Sequence, residues 1–531
     1  MVFASLARKL APVDEVSDKD VADAWRWFRL NGIGTQVMET LTLGTFLTAF
    51  ALQLGASNAF IGLLAAAPYL ANFGQLVGVY LVETLRNRRL VTVVAGFTAR
   101  PLLFLLPLAA LVPEPRWGLV LVFCIVLVRY FIGSIQGVAW NSLVRDLIDE
   151  RQRGSFFGAR VRVMTAIGMV MGLLAGVFAD HWAKFDLGPQ KWAYCVLFVI
   201  AGICGASAIW PLTWIKEPRM APLAEPPKLL SMLGRPFQDP NFRNLMIFLV
   251  AWNFAVNLAA PFFTVHMFQR LQLNVFTVTA LATTSQFANI CVLAIFGRLT
   301  DRFSGKSVMA VAAPLFLLCV FSWVFTTRPA DSNTTLALLA GIHLVTGVAT
   351  AGITIASTTI AMRLAPAEHA TAYLTANGLL TSLAAGIAPV VGGLTADFFI
   401  DQRLSLVFHW HSAQRDIAFE TLKIEHWDFF FVLAGLVGLY ALHRLSHVVE
   451  KGSVPERVVI GEFLAETKRN IQNISPVAGL KQLTEWPFVM VQRRILLSRL
   501  EAKRAALREQ RRAGRRADKP ESGGAADQTG D

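Results

Sequence analysis

Long apolar stretches alternate with short polar ones along most of the chain. A helix needs ~20 apolar residues to cross the hydrocarbon core of a bilayer. Twelve stretches meet that length, near 32–55, 58–84, 90–112, 117–142, 161–181, 191–215, 243–267, 274–297, 307–327, 333–361, 371–400 and 427–447. The pattern predicts an all-α polytopic membrane protein of twelve spans, numbered 1 to 12 below. Gly and Pro interrupt several of them, which spanning helices tolerate. An even count leaves both termini on one side.

The polar stretches set the domain plan. Residues 1–31 precede span 1, and within them Val21 to Leu30, with Trp25, Trp27 and Phe28, predicts an interfacial helix. The longest internal break, IKEPRMAPLAEPPKLLSMLGRPFQDP at 216–241, is rich in Pro and mixed charge and reads as a linker. It divides the spans six and six. The expected units are two six-helix bundles, 32–215 and 243–449, joined by a cytoplasmic linker over 216–242. Residues 401–426 are expected as the longest outer loop, and 450–531 as a tail, partly helical and then disordered.

Composition narrows the class. Of 531 residues, 54% are apolar and 16% are charged, with a formal net charge of +13. An average soluble domain is ~25% charged, so most soluble enzymes and disordered chains are excluded. Nucleic-acid binding is not expected, because a basic water-facing surface needs a more polar chain. Lys and Arg concentrate in one set of loops: Arg86, Arg88 and Arg89; Arg145, Arg151, Arg153, Arg160 and Arg162; Arg298, Arg302 and Lys306. That bias predicts those loops and both termini to be cytoplasmic, in a cytoplasmic (inner) membrane. Residues 1–30 lack the apolar run of a secretory signal. Between Arg493 and Lys519 lie eleven basic residues and three acids, preceded by Trp486 and Phe488, so the tail is expected to bind an anionic leaflet. The five cysteines show no metal-ligand spacing, and no cofactor is expected.

The halves share an internal repeat. A shift of 218 residues places Glu83 on Asp301, Arg88 on Lys306, Arg145 on Arg363 and Glu150 on Glu368. A shift of 217 places Gly176 on Gly393 and Asp180 on Asp397. Two parallel repeats with a site between them near the midplane are a transporter architecture.

On these residues the chain resembles the major facilitator superfamily. Gly297-Arg-Leu299-Thr-Asp301-Arg302-Phe-Ser-Gly305-Lys306 is similar to the family's G-x-L-x-D-R-x-G-R-K loop, one residue out of step. The loop between spans 2 and 3 keeps only Glu83, Arg88 and Arg89 of that pattern. Arg129-Tyr-Phe-Ile-Gly133 resembles the family's R-x-x-x-G in span 4, and Arg145 to Gly154 the loop after it. Ala388-Pro389-Val-Val-Gly392-Gly393 resembles a kinking antiporter motif, although it lies in span 11 rather than span 5. The resemblance implies a secondary active transporter working by alternating access, with efflux slightly favoured over proton-coupled import. It also implies a monomer. A charge cluster of Glu83, Arg88 and Arg89, and of Asp301, Arg302 and Lys306, is expected to latch the halves; a plain solvated loop is the alternative. Gly305-Lys306-Ser307 does not make a nucleotide loop, since Thr300 stands where Gly is required.

Charges at membrane depth carry the candidate chemistry, because each needs a partner or a wet cavity. Arg100 lies near the midplane of span 3, Arg129 at similar depth in span 4, and Glu39 in span 1 with Asn257 opposite by repeat. Glu39 is expected to accept a proton, with Arg129 or Arg100 modulating it, or else to hold helices together as a structural pair. Asn253, Asn257, Gln286, Asn289 and His343 are candidate substrate-cavity residues; interhelical hydrogen bonds explain them equally well. Gly168, Gly172 and Gly176 form a stripe for close helix packing. Paired carboxylates, metal clusters and nucleophile elbows at membrane depth are lacking, so an enzyme is not expected. A non-transporting sensor or scaffold that signals through the basic tail is the rival class.

Overall fold

A computed structural model describes residues 9–185, 187–220, 234–326, 333–412 and 415–474. The basic stretch Arg493 to Lys519 and most of the linker lie outside the described residues. The chain forms two units, Met1–Ser453 and Val454–Asp531. The second contributes one described helix, Glu456–Ile474, with Arg469 paired to Glu462 and Glu466 on its own surface.

In the first unit, eleven described helices are long and apolar enough to cross a membrane. They match spans 2 to 12. Span 1 is built from two pieces, α1 (Asp18–Thr42) and α2 (Thr45–Gln53). The break falls at Leu43-Gly44, where Gly44 has φ +55°, a left-handed conformation that favours glycine. Span 2 is similarly composite: Asn58–Leu70 contains Pro68, and a short 3-10 turn precedes Gly74–Leu85. Span 3 begins as Arg88–Ala99 and tightens into a 3-10 helix from Arg100 to Ala110, where Pro101 and Pro107 remove backbone donors.

The expected interfacial helix is instead the first three turns of α1. Ser17 and Asp20 close a capping box at its start. The Ser17 hydroxyl and then Lys216, at 3.0 Å, hold the Asp20 carboxyl below the usual carboxylate range. Phe28 is fully buried with Leu143, Phe156 and Ile209, and Trp25 and Trp27 pack on that cluster. Aromatic burial thus fastens this segment to the first bundle.

The expected outer loop holds an antiparallel hairpin, Arg403–Ser412 with Arg415–Glu425, in register from Arg403↔Glu425 to Ser412↔Arg415. Leu404, Leu406, Phe408 and Trp410 recur with period two, the signature of a strand. Glu425 at its root pairs with Arg403 at 3.2 Å and with Arg270 at 3.1 Å, tying the hairpin to the end of span 7.

The halves meet along two seams: span 2 against span 11, and span 5 (Glu150–Lys184) against span 8 (Val275–Arg302). Both are tightest at one end of the bundle, here called the distal face, where spans 1–2, 5–6, 7–8 and 11–12 are joined. A Cβ on Gly62 would sit 2.0 Å from the Pro389 carbonyl oxygen, and one on Gly393 2.3 Å from that of Asn58. Only glycine permits this backbone approach. Towards the opposite, proximal face, a Cβ on Gly378 of span 11 would meet nothing within 4 Å.

Candidate functional site

Span 4 is one continuous helix, Pro115–Leu147, and it carries Arg129 and Tyr130 side by side. Span 1 brings Glu39 to them just before its break. Arg129 Nη2 donates to Glu39 Oε1 at 2.5 Å, and Tyr130 Oη donates to Glu39 Oε2 at 3.4 Å. The Arg129 side chain is 6% exposed and that of Glu39 is 30% exposed. The pair is therefore anchored on the Arg side and open on the carboxylate side. Arg100 lies close by, 6% exposed, with Nη1 donating to the Gly205 carbonyl at 2.8 Å. The 3-10 tightening begins at this residue, which aims its long side chain across to span 6.

These groups line a cavity of about 440 Å³, walled wholly by the first half. Asn31, Thr35, Tyr69, Asn72, Ser134, Gln136, Trp140 and Arg160 also contribute to its polar surface. Glu39 also lines a second cavity of about 390 Å³, whose walls come from both halves and include Gly168, Gly172, Thr279 and Gln286. The carboxylate thus stands at the boundary between the first-half cavity and the interface between halves. A third space of about 300 Å³ is lined mostly by the second half, with Gln286, Trp323 and His343, and by Thr45 of span 1.

The remaining predicted positions separate by their partners. Asn253 and Asn257 donate back to Leu249 and Asn253 carbonyls of their own helix, each at 2.8 Å. Asn289 bonds across to span 10 at the Gly347 carbonyl and Thr350. These three amides hold bonds within or between helices, while Gln286 and His343 line the cavities described above. His343 Nδ1 lies 2.9 Å from the Leu339 carbonyl, with its ring edge on Trp323. Gly168 faces Gln36 of span 1, whereas Gly172 and Gly176 face Thr279 and Phe276 of span 8. Gly392 meets Leu258 and Phe262 of span 7, while Gly393, four residues beyond Pro389, meets span 2.

The loop clusters form with different acids from those expected. Glu83, Asp301 and Arg302 are exposed. Buried Arg88 instead pairs through Nε with fully buried Glu217 at 2.8 Å and through Nη1 with Asp146. Glu217 also accepts the backbone N–H groups of Arg88 and Arg89, at 2.9 Å each. In the second half, Glu450 accepts the N–H groups of Gly305 and Lys306 at 3.2 and 2.7 Å, and Arg363 approaches it at 3.4 Å. Lys306 Nζ donates to the Val448 carbonyl at 2.6 Å. In each half, then, a carboxylate following the sixth helix caps the third helix. These contacts stay within a half. The sequence placed Glu217 in the linker and Glu450 in the tail, and neither position signals a helix cap.

Two further caps do cross between halves, at the distal face. Asp180 of span 5 accepts from the N–H groups of Val275 and Phe276 at 3.0 and 2.8 Å. Asp397 of span 11 accepts from Asn58 and Ala59 at 3.2 and 2.8 Å. They are the pair that the 217-residue shift superposes.

Two six-helix halves with a buried charge pair beside a polar, membrane-depth cavity are the build of a secondary membrane transporter rather than an enzyme. The chain belongs to the Major Facilitator Superfamily, whose family model matches residues 31–389 and 245–455. A comparison with curated proteins finds no match. Among solved structures, a point mutant of the nucleoside transporter NupG is 14% identical, covers 80% of this chain and 100% of its own, and superposes with a TM-score of 0.60. A D-xylose–proton symporter is 15% identical over 82% of this chain and 99% of its own, at 0.56. A bacterial homologue of the iron transporter ferroportin in an inward-facing state is 12% identical over 82% and 100%, at 0.56. At such identities they share the fold.

Proposed function

We propose that the chain is a proton-coupled transporter of a small polar solute, with Glu39 as the proton acceptor. The observation that carries this reading is the Glu39–Arg129 pair, whose carboxylate borders both the first-half cavity and the interface cavity. Ionised Glu39 neutralises Arg129. A proton arriving on Glu39 cancels that attraction and leaves the buried guanidinium seeking another acceptor, which couples protonation to rearrangement of spans 1 and 4. The positive loops support an orientation with the proximal face and both termini in the cytoplasm, in a cytoplasmic membrane. With the distal seams shut, the conformation is then inward-open. The Ala388 to Gly393 segment, similar to an antiporter motif, supports export as the direction. The working unit is a monomer, and its basic tail rests on the anionic leaflet.

Glu39→Gln tests the coupling. In liposomes loaded with the dye pyranine, wild-type protein is expected to admit protons when a transported solute moves the other way. The variant is expected to lose that proton entry while keeping solute exchange. Proton entry undiminished in the variant removes Glu39 from the mechanism.

A further inference from the structure

The first-half cavity carries more positive charge and more donors than it can satisfy itself. Three guanidiniums, Arg100, Arg129 and Arg160, line it, and its single carboxylate is Glu39. Glu39 is already engaged by Arg129 and Tyr130. Arg160 lies with its guanidinium 4.5 Å over the Trp140 ring. Its Nε and the Trp140 Nε1 are both buried, and neither has a hydrogen-bond partner among the described residues. Arg100 holds one backbone carbonyl, which leaves its charge unmatched. Three positive groups against one negative leave the lining at a formal +2.

A cation calls for a free carboxylate, which this lining lacks, and its excess positive charge favours an anion over a neutral solute held by its amides and hydroxyls alone. We propose that the cavity receives a small organic anion, a carboxylate- or phosphate-bearing solute, held by Arg100 and Arg160, which line it together with the Glu39–Arg129 pair. The inference rests on the transporter reading and adds the substrate class to it. A guanidinium presents a planar fork that grips carboxylate or phosphate oxygens in pairs. The rings of Tyr69 and Trp140 supply flat apolar walls for the body of the solute, while Asn72 and Gln136 offer it amides. The volume, about 440 Å³, falls within the ~300–1,000 Å³ of small-molecule sites. The same anionic group could arrive on a soluble metabolite or on the head of an amphiphile.

The test is ligand-induced thermal stabilisation of the purified full-length protein at fixed ionic strength. The probes are succinate and glucose 6-phosphate for a soluble anion, lysophosphatidylglycerol for an amphiphile, and glucose and choline as neutral and cationic comparisons. One or more of the anions is expected to stabilise the protein, and glucose and choline are not. Arg160→Gln is expected to weaken the stabilising anion about tenfold or more, as loss of a charge-assisted contact does. Arg160→Lys, which keeps the charge and loses the fork, falls between. An unchanged ligand-free melting temperature in both variants shows that the fold is intact. Stabilisation by succinate or glucose 6-phosphate assigns a soluble anion, and by lysophosphatidylglycerol alone an amphiphile headgroup. Equal stabilisation by glucose or choline, or an anion effect that survives Arg160→Gln, overturns the proposal. Counterflow in liposomes separates the two readings. An anion that binds and never exchanges defeats transport and leaves the site standing. Exchange of glucose without anion binding defeats the anion site alone.

Discussion

At the residue scale, the molecule's buried charges divide by what surrounds them. Glu217 and Arg88 are both fully buried, and between them they satisfy two backbone donors, the Asp146 carboxylate and two carbonyls. Such a pair gives little net stability over an apolar one, but stripping one partner from it costs ~3–5 kcal/mol, because the other charge is left without compensation. Glu217→Ala is therefore expected to lower the melting temperature sharply, in detergent and in nanodiscs alike. Asp146→Asn is expected to cost much less, since the Asp146 side chain is 34% exposed and water can take its place. Comparable losses from the two variants would show that the Arg88 environment is wetter than its burial implies. The sequence made the depth of Glu39, Arg100 and Arg129 legible, because ionised groups stand out in apolar runs. Their partners were not legible. Arg129 meets a residue 90 positions away, and Asn253 and Asn257 turn back on their own helix, a choice that composition does not record.

At the element scale, the same device occurs four times among the described residues: a carboxylate from a distant part of the chain accepts from two successive N–H groups at a helix N-terminus. Glu217 and Glu450 do so inside a half, and Asp180 and Asp397 do so between halves. An anion at a helix start contributes ~0.3–1 kcal/mol, up to ~2 where partly buried. The two cross-half caps exist only while the distal seams are shut, so together they bias the conformational equilibrium by about 1–3 kcal/mol, or roughly five- to 150-fold. The double variant D180N/D397N is expected to shift the population towards an open distal face. Distance distributions between spin labels on spans 2 and 11 would show it, as a longer component that grows. Gly393→Ala is expected to act in the same direction, because its Cβ would strike the Asn58 carbonyl, whereas Gly378→Ala, with open space around it, is the matched control. Labels that report identical distributions in D180N/D397N and wild type would reduce the caps to local helix ends. The repeat made the Asp180/Asp397 equivalence readable from sequence, and spans 2 to 12 followed from hydropathy alone. The break in span 1 depended on a single φ at Gly44, and the hairpin at 403–425 on a period-two pattern overshadowed by the membrane spans.

At the scale of the whole molecule, the +13 formal charge divides among basic loops, a basic tail and a cavity that is itself positive. The last of these has an energetic consequence once it is joined to proton coupling. If each cycle exports one monovalent anion and imports one proton, two equivalents of positive charge move inward. A membrane potential of 100 mV acts on each with ~2.3 kcal/mol, so about 4.6 kcal/mol drives every turnover, in addition to any pH gradient. Export should then be strongly electrogenic. In liposomes with inward-oriented termini, loaded with potassium and the labelled anion that binds, valinomycin makes the lumen negative and is expected to accelerate anion release. Glu39→Gln, carrying no proton, should retain only the anion's own charge movement, so that its response to valinomycin falls to about half on a free-energy scale. Release indifferent to valinomycin would mean that the proton and the anion move in charge-compensating fashion, and would exclude one-for-one exchange of an anion against a proton.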